Sequence, residues 1–324
     1  MKKIAAAVVT AAALVLAGQA SAGTTYKVFL GEQARPPAGT PKGATLDQFL
    51  PSKLVIQAGD SVTFSSATFH TVTYAPKPQP LFLPDPGKGS YGDLLDAAGN
   101  AFYFNGLPKL IYNPLAFGPY GPRTISGGTP ASSGALAPPG RKPAIATYTF
   151  PKPGTYRLFC QVHPGMTGTV VVRPAGGSVP ETPAQVQADA LSAVAAGWAK
   201  AKAEAAAAKP PANTVYMGVG STTALLAYFP KTLRVKEGTT VAFVNRSPSE
   251  VHNIVFGPKK YIQALERKID LLPQGPKSPN QVAPVLPFGT EPKGQYAYDG
   301  TNHGNGFFVT PLTAGSPKVP LPRA

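Results

Sequence analysis

The sequence predicts an all-β protein in which two tandem β domains are joined by an alanine-rich α-helix. Apolar and polar residues alternate over many short stretches, which is typical of half-buried strands. The 34 glycines and 38 prolines follow no period and therefore indicate many turns and long loops. A chain of 324 residues is too long for one small β domain, so we expect two.

The segment 1–22 is predicted to be a targeting signal that is removed on export. Lys2 and Lys3 precede an apolar run at 4–17, and Ala20-Ser21-Ala22 is typical of a cleavage site. The apolar run is too short for a membrane span, so we expect none after cleavage. The protein is therefore expected to be periplasmic or secreted.

The only cysteine of the chain, Cys160, is followed by His163 and Met166 at Cys-x2-His-x2-Met spacing. Alternation over 156–160 places Cys160 at the end of a strand, and a Pro-Gly turn after His163 brings the loop back. Taken singly, a buried cysteine is usually a small hydrophobe, and a methionine usually fills gaps in a core. Together with a second imidazole, however, these groups are the ligands of a blue-copper centre. His70 is the candidate for that imidazole, and a free thiol in an exported protein also favours a ligand role for the cysteine.

Both halves of this pattern resemble the signature of cupredoxins. The downstream half is 150–156 followed by Cys160, His163 and Met166, and the upstream half is 54–64 followed by Phe69-His70-Thr71-Val72. The short copper loop is most similar to those of amicyanin and plastocyanin-like proteins.

The resemblance implies a Greek-key β-sandwich with a mononuclear type 1 copper at one end, which alternates between Cu(I) and Cu(II). It implies that the copper ligands are His70, Cys160, His163 and Met166. It also implies that the ring of His163 lies near the surface and serves as the exit for electrons.

The first domain is predicted at 23–174 and carries a long insertion at 75–144. The insertion is rich in proline, glycine and aromatic residues, and its aromatic content argues against disorder. We expect an ordered flap over the sandwich that shapes access to the copper end, with a mobile tail at 126–140. An inert decoration is the alternative.

A helical linker is predicted at 175–212. Thr182 and Gln185 have capping-box spacing around a proline at the first helical position, and Lys209-Pro210-Pro211 ends the helix. An apolar stripe at every fourth residue is expected to dock the helix on a domain: Val186, Ala190, Val194 and Trp198.

The second domain, predicted at 213–324, resembles a degenerate copy of the first. Without gaps, 229–243 aligns on 50–64, and then 251–256 matches 69–74 and 294–303 matches 154–163.

This copy lacks the cysteine and methionine ligands, because Gly300 and Gly306 stand at their positions. His252 and His303 keep the positions of the two histidine ligands. With Asp299 or Glu250 nearby, they are a candidate second metal site for Cu(II) or Zn(II), without a thiolate. The alternative is that a decayed copy keeps them by chance.

The predicted function is that of an exported electron carrier with one type 1 copper in the first domain. Copper oxidases and nitrite reductases need further histidines, but Phe159 and Gln161 flank Cys160, and no His-x-His occurs in the sequence. We therefore do not expect an enzyme. The alternative is a copper enzyme, or a copper storage or delivery protein, that uses a non-blue histidine site in the second domain.

The formal charge of +15 bears on the choice of partner. The basic residues are scattered and no nucleic-acid-binding motif occurs, so we expect no nucleic-acid partner. We interpret the charge as steering toward an acidic redox partner protein, with general solubility as the alternative. The sequence predicts neither the identity of that partner nor the oligomeric state.

Overall fold

The computed structural model describes residues 23–31, 36–87, 89–137, 144–266, 281–316 and 321. The targeting signal predicted at 1–22 lies outside the described residues. The described chain is mostly β with one long helix in its middle, as the sequence predicts. No helix in these ranges is long and apolar enough to cross a membrane.

The strands and helices are numbered in chain order. The strands before the long helix are β1 (Thr25–Leu30), β2 (Ala44–Leu46), β3 (Phe49–Leu50), β4 (Lys53–Gln57), β5 (Ser61–Ser66), β6 (Thr73–Tyr74), β7 (Phe82–Pro84), β8 (Leu110–Tyr112), β9 (Pro119–Tyr120), β10 (Ala131–Ser133), β11 (Ala144–Thr149), β12 (Gly154–Phe159) and β13 (Thr167–Arg173). The strands after it are β14 (Thr214–Val219), β15 (Thr223–Phe229), β16 (Ala242–Arg246), β17 (Val251–His252), β18 (Val255–Phe256), β19 (Phe308–Val309) and β20 (Thr313–Ala314). The helices are α1 (Pro114–Phe117), α2 (Pro183–Ala207) and α3 (Lys259–Glu266), with a 3-10 turn at Asn302–Gly304.

The first β unit is a sandwich of two sheets. One sheet has the strand order β11-β5-β1-β3, and the other has the order β4-β13-β12-β6-β10-β9. Burial alternates along the strands: in β12, Tyr156 and Leu158 are buried while Arg157 is exposed. These two side chains share one core with Phe64 and Tyr148 of the opposite sheet. The core therefore lies between the sheets, as alternation in the sequence predicts.

The insertion predicted at 75–144 carries β7 to β10 and α1, and its aromatic residues form a second core together with Val282 and Phe288 of the C-terminal part. Phe69 of the sandwich stacks on Phe117 of the insertion, with ring centroids 6.1 Å apart. The insertion also contacts the C-terminal part of the chain, because the hydroxyl of Tyr91 donates to the carbonyl of Val282 at 2.8 Å. The described part of the insertion is thus ordered and packs on both β units.

The tail of the insertion differs from the mobile segment expected at 126–140. Ala131–Ser133 form β10 inside the six-stranded sheet, whereas 138–140 lie outside the described residues. The small side chains allow close pairing with β6, where the hydroxyls of Ser132 and Thr73 are 3.1 Å apart. A run of small residues therefore serves as a buried strand here.

Helix α2 begins with the capping box that the sequence predicts. The Thr182 hydroxyl accepts from the N–H of Gln185, and the Gln185 side chain accepts from the N–H of Thr182 at 2.8 Å. Trp198 of the apolar stripe packs with Leu46 of β2 and Leu225 of β15, and Ala190 of the same stripe packs with Phe29 of β1. The helix therefore docks on the protein, as predicted, and contacts both β units.

The second β unit pairs its strands as the first unit does. β14 lies parallel to β16 with Val215 opposite Phe243, and β1 lies parallel to β5 with Val28 opposite Phe64. The gap-free alignment equates Phe243 with Phe64 and Phe229 with Leu50. Phe229 pairs with Tyr216, next to Val215, just as Leu50 pairs with Phe29, next to Val28, so the registers agree. The sheet of this unit has the order β16-β14-β15-β2, and its edge strand β2 comes from the N-terminal part of the chain. Because β2 precedes the helix in sequence but belongs to the sheet that follows it, the domain boundaries remain predictions.

The second unit has less regular structure opposite this sheet than the first unit has. Residues 230–241 and 290–301, all of them described, contain no strand. The two-stranded ladders β17–β20 and β18–β19 pack there, with Phe256 edge-to-face on Phe243. Tyr296 and Tyr298, on the segment aligned with β12, are each 45% exposed. The second unit is therefore a more open β structure than the first.

Candidate metal centre

The predicted ligands lie at one end of the first sandwich because two neighbouring strands end there. His70 precedes β6 and Cys160 follows β12, and these strands pair at Thr73 and Phe159. The backbone of His70 is held on its other side by Leu136, whose N–H donates to the His70 carbonyl at 2.8 Å. The pairing therefore brings residues far apart in sequence to one place.

The loop between β12 and β13 folds back over this end. The N–H of Cys160 donates to the carbonyl of Met166 at 2.9 Å, and the N–H of Met166 donates to the carbonyl of His163 at 3.1 Å. Gly165 has φ +88°, a conformation that favours glycine. The Pro-Gly turn thus does what the sequence predicts and returns His163 and Met166 toward the cysteine.

The donor atoms of two histidines and the cysteine converge. Nδ1 of His70 and Nδ1 of His163 are 2.9 Å apart. Sγ of Cys160 lies 3.9 Å from the first of these nitrogens and 3.4 Å from the second. All three residues are buried, and Met166 is 3% exposed in the same core as Cys160. The structure therefore brings together the residues that the sequence singles out in the first domain.

The surroundings of Cys160 favour a thiolate. Burial opposes ionisation, but the imidazole of His163, by charge and by hydrogen bonding, outweighs it and lowers the pKa of Cys160. The backbone N–H of Thr71 also donates to Sγ at 3.3 Å. Because a thiolate is the form that binds metals, the cysteine is prepared for a ligand role.

His70 fits against a glycine that makes room for its ring. A side-chain Cβ on Gly31 would lie 2.7 Å from Nε2 of His70. This nitrogen has no hydrogen-bond partner among the described residues. Burial first, and the neighbouring His163 second, lower the pKa of His70 well below its usual value. The ring is therefore neutral, as a metal ligand must be, with Nδ1 toward the cysteine.

His163 corrects one expectation from the sequence. Its ring was expected near the surface as an exit for electrons, but the residue is only 8% exposed. Nε2 of His163 lies 3.2 Å from Oε1 of Glu250, which belongs to the second β unit. The ligand atoms of Asp47, His163 and Glu250 lie within 4.8 Å of one another. The second unit thus covers the face that the resemblance implies to be open.

The two carboxylates change the protonation of His163. Burial opposes its positive charge, but Asp47 and the thiolate of Cys160 outweigh burial and raise the pKa of His163 well above its usual value. Asp47 is itself 4% exposed, and burial raises its pKa. The sequence gives no sign of either contact, because Asp47 and Glu250 carry no motif and meet the ring only through packing of the two units.

The histidines of the second unit have different neighbours from each other. Nδ1 of His303 lies 3.0 Å from Asp96 of the insertion, and Nε2 lies 2.8 Å from Glu291. His252 instead packs against Gly218, where a side-chain Cβ would overlap its ring. No contact joins the two imidazoles in the described part of the chain, and His303 uses both nitrogens for carboxylates.

The donor set of the first unit fits copper. A thiolate and two imidazoles in one buried cluster, with a thioether beside them, are soft and borderline donors that suit Cu(I) and Cu(II). Magnesium and calcium prefer oxygen donors and do not match this cluster.

No protein-family model and no curated protein sequence matches the chain. Among solved structures, it is similar to a mutant of amicyanin with Cu(I), at 17% identity over 46% of this chain and 82% of that one, with a TM-score of 0.21. It is also similar to a purple cupredoxin from Nitrosopumilus maritimus, at 15% identity over 46% of this chain and 99% of that one, with a TM-score of 0.23. A copper-containing nitrite reductase from Thermus scotoductus is similar at 19% identity over 46% of this chain and 22% of that one, with a TM-score of 0.21.

The sheets and the donor cluster of the first unit define its fold. Two β-sheets enclose one core, and the cysteine, the two histidines and the methionine meet at one end of that sandwich. This is the arrangement that the sequence resemblance implies. The chain therefore has a cupredoxin-like fold.

Proposed function

We propose that this protein is an exported blue-copper electron carrier with one type 1 copper, held by His70, Cys160, His163 and Met166. The observation that carries the proposal is the convergence of two imidazole Nδ1 atoms on the sulfur of the only cysteine, within 4.8 Å and in buried residues. Copper in such a site supplies one-electron exchange between Cu(I) and Cu(II).

The chain's own residues hold the donors in place. The N–H of Thr71 fixes the sulfur, the cavity left by Gly31 fixes the ring of His70, and backbone hydrogen bonds close the loop that carries His163. The buried donors exclude water from the site. A site organised in this way before the metal binds suits an electron carrier, because little has to move when the charge on the metal changes.

We propose that the second β unit is a diverged copy of the first that has lost its copper site. Two observations support this. The strand registers match, and Gly218 packs against the ring of His252 in the same way that Gly31 packs against the ring of His70. The carboxylate contacts of His303 argue against a metal at His252 and His303.

Copper storage or delivery, or a copper enzyme, is the second candidate. Burial of His70, Cys160 and His163 argues against delivery, because the metal would leave slowly. The neighbours of the cysteine in sequence, Phe159 and Gln161, offer no imidazole that would link it to a second copper. Copper exchange with a chelator separates the candidates: rapid release from the folded protein would contradict electron carriage.

Export to the periplasm or the exterior is proposed from the segment 1–22, and an acidic redox partner from the net charge of +15. Binding that weakens steeply as salt is added would support a charged partner.

Visible absorption and EPR spectra of the copper-loaded protein test the proposed function. The wild type should show an intense thiolate-to-copper band, and Cys160→Ser should lack it. A variant that keeps the band without the sulfur would refute the assignment. His303→Ala is the matched control, and it should keep both the band and a copper content of one per chain.

A further inference from the structure

We propose that Glu250 is a positioning residue for His163, through which the second β unit fixes the copper histidine and tunes the redox potential of the site. This inference rests on the proposed function. It assigns to the metal-free second unit a role as a built-in cap on the copper end.

The geometry defines the tautomer of His163. Its Nδ1 faces the sulfur of Cys160 at 3.4 Å, and its Nε2 faces Oε1 of Glu250 at 3.2 Å. When Nδ1 binds a metal, Nε2 must carry the proton and donate it. A carboxylate acceptor at that position fixes the orientation of the ring and makes Nδ1 a stronger donor.

Glu250 is held firmly by its own unit. The side-chain amide of Asn245 donates to the carbonyl of Glu250 at 3.1 Å and to the carbonyl of Thr313 at 2.9 Å. The neighbouring Ser249 donates its hydroxyl to Asp47. Asp47 lies between β2 and β3, and β2 is an edge strand of the second unit's sheet. The acceptor is therefore fixed to a framework that spans both β units.

The contact between His163 and Glu250 is not a solvent-exposed surface ion pair. The side chains of His163 and Glu250 are only 11% and 18% exposed, so solvent weakens their interaction little. A separate cation site at these carboxylates is not indicated either, because the oxygens of Asp47 already accept from the hydroxyls of Ser249 and Thr45.

The chain supplies a matched control in Glu291. It lies 2.8 Å from Nε2 of His303, so it forms the same type of carboxylate–imidazole contact in the same unit. His303 is not among the proposed copper ligands. Replacing Glu291 therefore repeats the chemical change without touching the copper site.

The test is voltammetry of the copper-loaded wild type, Glu250→Gln and Glu291→Gln. Glutamine keeps the shape and an acceptor oxygen but removes the negative charge that stabilises Cu(II) over Cu(I). Glu250→Gln should favour Cu(I) over Cu(II) about tenfold more than the wild type does, which corresponds to a rise in potential of about 59 mV. Glu291→Gln should keep the wild-type potential, and both variants should keep the thiolate-to-copper band.

Equal potentials in all three proteins, with the band present, would overturn the inference and leave the proposed function intact. A wild type without the band would overturn both. If Glu250→Gln does not fold, NMR of the unmodified Cu(I) protein decides: the Nε2 proton of His163 should exchange slowly with water, and rapid exchange would overturn the role of Glu250.

Discussion

Gly31→Ala is the substitution through which the histidine cavity can be tested most sharply. Gly31 has φ +66°, and a Cβ added there would lie 2.5 Å from the carbonyl oxygen of Leu46 and 2.7 Å from Nε2 of His70. Neither neighbour can retreat easily, because His70 is 1% exposed and Leu46 is fully buried. The alanine must therefore displace the ring that the proposed copper needs.

The magnitude has two parts. A left-handed backbone costs a non-glycine residue about 1–2 kcal/mol, and overpacking a dense interior costs about 1–3 kcal/mol. Gly31→Ala should therefore lower the free energy of unfolding of the copper-free protein by about 2–5 kcal/mol, measured by urea denaturation. Copper affinity and the intensity of the visible band should fall as well.

Gly176→Ala is the control for the backbone term. Gly176 has φ +77°, with no atom within 4 Å of an added Cβ. It should therefore cost about 1–2 kcal/mol and leave the copper spectrum unchanged. If both variants lost the same stability and both kept the wild-type spectrum, the tight contact between Gly31 and His70 would be refuted.

Four further outcomes are expected. Met166→Leu should raise the reduction potential while copper stays bound, because an axial thioether mainly tunes the metal, and a fall in voltammetry would contradict this role. Trp198→Ala removes a ring that is 4% exposed between the units and should lower the free energy of unfolding in urea by about 3–5 kcal/mol; a loss below about 1 kcal/mol would show that the helix is not docked. His303→Ala breaks the contacts to Asp96 and Glu291 and should destabilise the protein by about 1–3 kcal/mol, with copper still at one per chain by elemental analysis; loss of a second copper would reveal a site in the second unit. Burial opposes ionisation of Asp96, but hydrogen bonds from the Asn100 backbone and from His303 lower its pKa. The stability that this carboxylate adds is present above pH 3.8, the ordinary pKa of an aspartate, and is lost as the pH falls through the lowered pKa. The free energy of unfolding of Asp96→Asn should therefore differ from that of the wild type at neutral pH, and the two values should converge in acid.

Local patterns in the sequence were sufficient to predict much of the site. The short spacing of Cys160, His163 and Met166 fixes a single loop, and the alternation before it fixes the strand. His70 could be added because the chain has only four histidines and this one follows a strand pattern. The capping box of α2 is equally local, since Thr182 and Gln185 satisfy each other's backbone groups.

Contacts between the units could not be predicted in this way. Asp47 and Glu250 meet His163 only because the second unit packs over the copper end, and neither has a spacing that links it to the ring. The pairing of β2 with β15 of the second unit likewise joins residues that are far apart in sequence. The expected surface position of His163 was wrong for this reason: the resemblance concerns one domain, and here a second domain covers the face.

X-ray absorption at the copper edge of the loaded wild type tests the central claim most directly. One short copper–sulfur contact and two imidazole nitrogens should surround the metal, in agreement with the convergence of His70, Cys160 and His163. A shell of nitrogen and oxygen alone would place the copper elsewhere and contradict the account.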